Sequence, residues 1–592
     1  MMHLELLPPG LILILGGILM LFVGRRLRDV LTVLLPLLTL AQVWDVDGTQ
    51  MVTVPFLAYD LITIRVHPYT HIFATVFSLA ALGGGIFAMH ARNYKEQSAA
   101  YIYAGSAIGV TFSGDLLTFF MFWELMAIAS TAVIWSADSE SSRAAGMRYA
   151  LMHFLGGVLL MAGIVAHVYV TNVTVLPTFE LHMQDWIWTS SVFLDQERIY
   201  GSYEHFLHLQ SAGIWLMFIG VLINVAAPPF SAWLTDAYPE SSPTGMVFLS
   251  AFTTKTAVFV LLTLFAGVEI LIYIGLFMVF YGIVMAILEN DVRRILAYSI
   301  INQVGFMVTG IGMGTQLALD GAAAHAFCHI IYKALLLMSA GSVLQMTGKR
   351  KCSELGGLYR TMPLTCICGI VGALAISAFP LTSGFVSKSL ISDAAAHEGL
   401  EWIWYALAAA SAGVFLHAGI KFPWFVFFQK DSGLRPPPPP QNMRVAMTAF
   451  ALMCIIPGAL PQQTLYFMLP DAITYEANTL EHVINQLQLL LFSGLAFFVC
   501  LPLLKRTPTI TLDFDWFYRR LLKAVLILLE KACSASYTLS MRAMQHGINL
   551  LVARIMHLTG PGGIFAETKT VANTTLIVAT LLAGYLLLYY NV

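Results

Sequence analysis

The sequence predicts an all-α polytopic membrane protein with about 16 transmembrane helices. Three observations lead there. Of the 592 residues, 58% are hydrophobic and 11% are charged, against roughly 25% charged in a soluble domain. The mean hydropathy is +0.77. Apolar runs of about 18 residues or more recur along nearly the whole chain. Such a chain lacks the polar surface that a soluble fold of this length requires. A nucleic-acid binder, a soluble enzyme and a secreted disulfide scaffold are therefore excluded. The net charge of −2 points to no class of partner.

The first apolar runs fall at 7–24, 29–45, 69–91, 99–114, 116–136 and 144–171. Residues 9–23 resemble a signal-peptide core, but no positive region precedes them and Arg25 and Arg26 follow, so they read as a first spanning helix. Residues 50–68, rich in Val, Thr and Ile around Tyr59-Asp60, read as a small extracytoplasmic β-hairpin. Residues 172–210 form a polar insert with Trp186 and Trp188. Further runs occupy 211–235, 243–262, 265–288, 293–313, 318–345, 363–391, 402–428, 444–462 and 484–504. Two of them are broken, at Pro228-Pro229 and at Pro380, and broken helices in corresponding places point to a transport site. Arg435 is followed by the prolines 436–440, a stiff polyproline linker. In 514–557, Phe514, Trp516, Phe517, Leu521, Leu522, Val525 and Leu529 alternate with Asp515, Arg519, Arg520, Lys523, Glu530 and Lys531. This predicts a long amphipathic helix lying along the cytoplasmic interface, with a soluble linker helix as the other reading. A last run, 570–590, anchors its far end.

Orientation follows from the Lys/Arg bias. With the N-terminus outside, the inner loops carry Arg25, Arg26, Arg28, Arg92, Lys95, Arg143, Arg293, Arg294, Lys349, Arg350, Lys351, Arg360, Lys430, Arg435, Arg444, Lys505 and Arg506, and the outer loops only Arg65 and Arg198. This places the chain in the inner (cytoplasmic) membrane with both termini extracytoplasmic. The seven cysteines are scattered without a CxxC pair, and no GxGxxG or Walker A motif occurs. No cofactor, metal, nucleotide or nucleic-acid site is expected.

An ionisable group deep in a bilayer costs about 2.5–3.5 kcal/mol on insertion scales, so each is a functional candidate. Glu124 sits mid-helix after Phe122-Trp123, and Lys255 in Thr253-Thr254-Lys255-Thr256. His325, His329 and Lys333 are spaced i, i+4, i+8 and share one helix face. Lys388 follows the break at Pro380, and His417 and Lys421 are again four apart. The duller readings are an ion-pair role for Glu124, metal ligation by His325 and His329, and snorkelling by Lys421. Arg148 and His153 read as structural. Together the glutamate, lysines and histidines read as a proton relay in which one group's charge biases the next.

These residues resemble the proton-conducting antiporter family shared by Mrp-type Na+/H+ antiporters, the membrane arm of complex I and membrane-bound hydrogenases. Phe122-Trp123-Glu124 resembles the family's fifth-helix glutamate motif. The stretch from Pro229 to Ala237, with Trp233 and Asp236, resembles the one after its broken seventh helix. Arg293 to Gly305, His325 to Lys333, and Phe379 to Lys388 resemble three further motifs, in the family's order. The resemblance implies two inverted five-helix repeats, each with a broken helix. The implied division is 1–98 for N-terminal helices with the hairpin, 99–262 and 263–428 for the repeats, 429–513 for linker and additional helices, 514–557 for the lateral helix and 558–592 for the anchor. Asn224 stands where the family usually has a lysine to pair with the glutamate, so either Lys255, one helix later, partners Glu124 or this repeat conducts differently. Ser389 stands where an acid sometimes follows the twelfth-helix lysine.

The resemblance implies a transporter subunit with no redox catalysis of its own. The first reading is the proton/cation-translocating subunit of a multisubunit membrane complex, most like an Mrp-type monovalent cation/proton antiporter subunit. Its relay is Glu124, Lys255, His325, His329, Lys333 and Lys388, with Asn224, Asp236, His417 and Lys421 as accessories. Its partners are other membrane subunits, the lipid bilayer, H+ and a monovalent cation such as Na+. The alternatives are a proton-pumping subunit of a complex I-like (NADH:quinone oxidoreductase-like) or hydrogenase membrane arm, the membrane partner of an inorganic-carbon uptake complex, and a scaffold with a degenerate relay.

Overall fold

The computed structural model describes residues 7–179, 203–470, 475–503 and 513–590, apart from 562, 564–565 and 567–569. Trp186, Trp188, Arg198, Lys505 and Arg506 lie outside the described residues. Contacts divide the chain into two compact units, Met1–Phe514 and Asp515–Val592.

The first unit opens with α1 (Pro9–Met20) and α2 (Arg25–Asp45). The expected hairpin follows as antiparallel β1 (Met51–Phe56) and β2 (Tyr59–Arg65), pairing Phe56 with Tyr59 and Met51 with Arg65. Its turn falls at Leu57-Ala58, with Leu57 in the left-handed region (φ 55°). Then come α3 (Thr70–Ala88), α4 (Tyr94–Phe112), α5 (Leu116–Trp135) and α6 (Glu140–Thr171). Asp115 fixes two elements at once. Its carboxylate accepts from Leu117 N and Thr118 N (both 2.9 Å), capping α5, and from Ile62 N of β2 (2.6 Å).

The middle of the chain holds α7 (Tyr203–Val225), the short α8 (Ala232–Ala237), α9 (Gly245–Ala251), α10 (Thr253–Leu264), α11 (Ile270–Leu288), α12 (Val292–Met313) and α13 (Gln316–Thr347). Next are α14 (Pro363–Ile376), α15 (Ser383–His397), α16 (Glu401–Val414), α17 (Gln441–Ala459) and α18 (Leu480–Val499). Helix α16 runs on through two π-helical stretches, Phe415–Lys421 and Trp424–Phe428. The second unit is a π-helical turn, Phe517–Leu522, followed by α19 (Lys523–Thr559) and α20 (Val571–Tyr590), neither with a buried residue among those described.

Thirteen helices among the described residues are long and apolar enough to cross a membrane, and three shorter ones are apolar as well. The segment Arg519–Thr559, expected to be amphipathic, is helical and belongs to the thirteen. Helices α12 and α13 are buried along almost their whole lengths, so they form the centre of the first unit.

Three helices are interrupted rather than two. After α7 the chain turns through Ala226 (φ 64°) and Pro228-Pro229 into α8. After α14 it turns through Ala378 (φ 56°) and Leu381 (φ 63°) into α15. The third break separates α9 from α10 at Phe252, where neither proline nor glycine marks it. Gly384 at the start of α15 is required by close approach. A Cβ there would lie 1.8 Å from the Ala375 carbonyl oxygen. Gly384→Ala should therefore destabilise the protein by about 1–3 kcal/mol, read as a lowered thermal midpoint of the purified chain in detergent. Gly584→Ala, whose Cβ would meet nothing within 4 Å, should leave the midpoint unchanged or raise it.

Candidate functional site

The expected face of α13 exists. His325, His329 and Lys333 are all fully buried on it. His325 Nδ1 lies 3.0 Å from Ser387 Oγ of α15, and its Nε2 lies 3.2 Å from Gln303 Oε1 of α12. Tyr332 closes this group: its hydroxyl donates to Gln303 Oε1 at 2.9 Å and lies 3.3 Å from His325 Nε2. The Gln303 amide donates onward to Asn302 Oδ1. Neither ring nitrogen of His329 has a hydrogen-bond partner among the described residues. Its ring centroid is 6.3 Å from that of His325 and 5.3 Å from that of Tyr332.

The buried lysines rest on main-chain carbonyls and hydroxyls. Lys333 Nζ donates to Ser299 Oγ (2.9 Å) and to the Leu296 carbonyl (3.4 Å). Lys388 Nζ donates to the Ile376 carbonyl at the end of α14 (2.8 Å) and lies 4.8 Å from the Phe306 ring centre. Lys255 Nζ donates to the Ser250 carbonyl (2.6 Å), freed by the break at Phe252, and to Thr254 Oγ1 (3.0 Å). Lys421 Nζ caps the end of α11 through the carbonyls of Ala286 (3.0 Å), Ile287 (2.6 Å) and Glu289. No carboxylate lies within ion-pair distance of Lys255, Lys333 or Lys388 among the described residues, whereas Lys421 feels the Glu289 carboxylate. His417 Nδ1 lies 3.0 Å from the Gly413 carbonyl oxygen.

Lys255 and Lys388 are in electrostatic reach of both His325 and His329, Lys333 of His329, and Lys333 and Lys388 of His417. The structure thus brings six of the sequence-selected groups into one cluster. Like charges this close oppose one another, so the protonation of each is coupled to the rest.

Glu124 stands apart from that cluster. It is half-buried on α5, with Oε1 pressed to within 1.9 Å of where a Cβ on Gly157 of α6 would lie. No hydrogen-bond donor meets that oxygen, and no cation lies within ion-pair distance among the described residues. Neither the expected pairing with Lys255 nor an ion-pair role for Glu124 is found, because Lys255 faces the histidines of α13. Asn224 is buried at the end of α7 against His153. Asp236 is held in a bidentate pair by Arg148, at 2.6 Å and 3.0 Å.

The sequence reading missed Gln303, Asn302, Tyr332 and Ser387 as connectors. The two adjacent amides inside an otherwise apolar helix were the available signal. It also missed Asp513, whose carboxylate accepts from Tyr298 of α12 (2.6 Å), Thr235 of α8 (3.2 Å) and Tyr281 of α11.

Residues 113–415, just over half of the chain, match the family model described as NADH:quinone oxidoreductase/Mrp antiporter, TM. The chain belongs to this family. The A/B subunit of a probable K(+)/H(+) antiporter from Rhizobium meliloti is 28% identical over 435 residues, covering 69% of this chain and 41% of that relative. NADH-quinone oxidoreductase subunit N of Desulforudis audaxviator is 28% identical over 353 residues, 57% of this chain and 66% of the relative. The chain thus spans less than two thirds of either relative's length. A chain of the Mrp complex from a Dietzia species shares the fold, with a TM-score of 0.67 at 20% identity, covering 83% of this chain and 100% of that one. This member of the Mrp antiporter and quinone oxidoreductase family is therefore a multi-pass integral membrane protein.

The Arg148–Asp236 pair ties α6 to the segment after the first break, so its role is read here as structural. Arg148→Ala and Asp236→Ala should each lower the thermal midpoint, and the double variant should be little worse than either. A coupling of about 0.5–3 kcal/mol is expected, measured as a double-mutant cycle on the purified protein.

Proposed function

We propose that the chain is the proton/cation-translocating subunit of a multisubunit membrane assembly, most like an Mrp-type monovalent cation/proton antiporter subunit. The observation that carries this reading is the buried cluster of Lys255, His325, His329, Lys333 and Lys388. Such a row of titratable groups without carboxylate partners is costly to keep in an apolar interior unless protons pass along it. Gln303, Tyr332, Ser387 and Ser299 supply hydroxyls and amides between the titrating groups. The antiporter relatives support H+ and a monovalent cation, K+ or Na+, as cargo, and other membrane subunits as partners.

In this reading 99–262 and 263–428 are inverted repeats, each offering a half-channel at its broken helix. The chain lies in the inner membrane with both termini outside, and the amphipathic segment 514–557 braces neighbouring subunits on the cytoplasmic face. A second reading, a membrane-arm subunit driven by redox partners, is supported by the oxidoreductase relative, whose length the match covers to 66%. Co-purified chains separate the two: small antiporter subunits, or quinone- and iron–sulfur-binding ones.

The test measures cation-dependent pH recovery in inverted vesicles containing the assembled complex. Glu124→Gln and Lys388→Ala should each lower turnover per assembled complex by about a hundredfold or more. Full pH recovery by both variants would sink the reading.

A further inference from the structure

The two breaks after α7 and α14 are built alike but carry different groups. At the second, the carbonyl of Ile376 is capped by the ammonium of Lys388. At the first, the carbonyl of Ile223 is capped by the indole N–H of Trp233, at 2.9 Å. The Ile223 carbonyl also accepts from Ala226 N at 3.1 Å, and its side-chain donor is neutral and cannot change its charge. The ionisable group of this region is one helix away. His153 of α6 is 1% exposed, with its ring centroid 4.5 Å from that of Trp233 and 4.1 Å from that of Tyr149.

Neither nitrogen of His153 has a hydrogen bond of good geometry among the described residues. Asn224, also 1% exposed, faces the imidazole, and neither its amide oxygen nor its amide nitrogen has such a bond either. One helical turn along α6, Gly157 carries the Glu124 carboxylate on its open side, with Oε1 unpaired. His153 and Gly157 are four residues apart and share a face, about 6 Å along the axis. The His153 imidazole therefore meets the Asn224 amide and no other hydrogen-bonding group among the described residues, while Glu124 Oε1 meets none.

We propose that His153 is the proton-carrying group of this first half of the molecule, oriented by Asn224 and exchanging protons with Glu124. The inference rests on the translocation reading above and adds a residue that the sequence alone marks as structural. In the step, a proton leaves the Glu124 carboxyl and arrives on an imidazole nitrogen, with one water bridging the gap. A neutral pair becomes a carboxylate and an imidazolium, so no net charge is created in the interior. The rings of Trp233 and Tyr149 stabilise the imidazolium through their π faces, and the Asn224 carbonyl accepts its N–H. Both rings are held in place, Trp233 by Ile223 and Tyr149 by a hydrogen bond to Ser130 Oγ at 2.9 Å. The other ionisable groups around His153 are Tyr149 itself, Tyr238 beyond Trp233, and the mutually paired Arg148 and Asp236.

The experiment uses the assembled complex in inverted vesicles, with turnover counted per complex. His153→Gln should lower turnover by about tenfold or more. Adding Asn224→Lys to it, which sets an ammonium beside the first break as Lys388 is set beside the second, should recover a substantial part. Wild-type turnover by His153→Gln, with Glu124→Gln and Lys388→Ala inactive, overturns the role of His153 and leaves the translocation reading standing. Wild-type turnover by all three variants removes both. If His153→Gln does not assemble, the wild-type complex with isotope-labelled histidine decides, His153 being assigned through its contact with labelled Trp233. An imidazolium population that grows as pH falls through the working range supports the proposal. A single neutral form throughout overturns it.

Discussion

The interrupted helix is the constraint on which the rest of this structure depends. Ending a helix inside an apolar interior frees carbonyl oxygens that water cannot reach, and each needs a donor. Here the donors include the buried lysines. Lys388 is set by the last carbonyl of α14, Lys255 by a carbonyl freed at the Phe252 break, and Lys421 by the end of α11. Each ammonium is stabilised by oriented dipoles that carry no net charge of their own. A carboxylate partner would hold a lysine in its charged form. Carbonyl partners leave it easier to discharge, which suits a group that has to give up a proton.

The same constraint explains an asymmetry between the two halves. Around α12 and α13 the titratable groups are many, with Ser387, Gln303 and Tyr332 gathered on His325 and Ser299 on Lys333. Around α5, α6 and α7 the groups are few, and at the broken helix Trp233 donates to the Ile223 carbonyl. The first half therefore leaves Glu124, His153 and Asn224 to one another, while the second half forms a coupled array. The family embraces both antiporter and quinone oxidoreductase subunits.

Outside the spanning core, charge is used to fix geometry. Arg293, counted in the sequence as an orientation signal and as the start of a family-like stretch, is buried and donates to the carbonyls of Ser241 and Ser242, both at 2.8 Å. Arg350 bridges Glu240 at 2.9 Å and Asp291 at 2.8 Å. Asp513 gathers hydroxyls from α8, α11 and α12. These contacts tie the segment after the first break to the start of α12, so the positions of the two halves are linked through polar groups as well as packing.

The sequence by itself determined the membrane class, the helical runs, the hairpin and the identity of the buried lysines and of the α13 histidines. These are local properties: hydropathy depends on neighbours in the chain, and a lone charge in an apolar run is conspicuous without any fold. The α13 face was legible because a helix period is fixed at 3.6 residues per turn. Only the tertiary structure decided which groups meet. Lys255 lies in the same predicted repeat as Glu124, yet it turns to the α13 histidines because α9 and α10 break at a phenylalanine, which no sequence signal marks. Asp236 was selected as an accessory to the relay and proves to be the partner of Arg148, 88 residues earlier in the chain. His153 was read as structural because one histidine in an apolar helix is ordinarily satisfied by its neighbours. That it meets Asn224, Trp233 and Tyr149 beside Glu124 depends on where α5, α7 and Trp233 come to rest. No spacing along the chain records that.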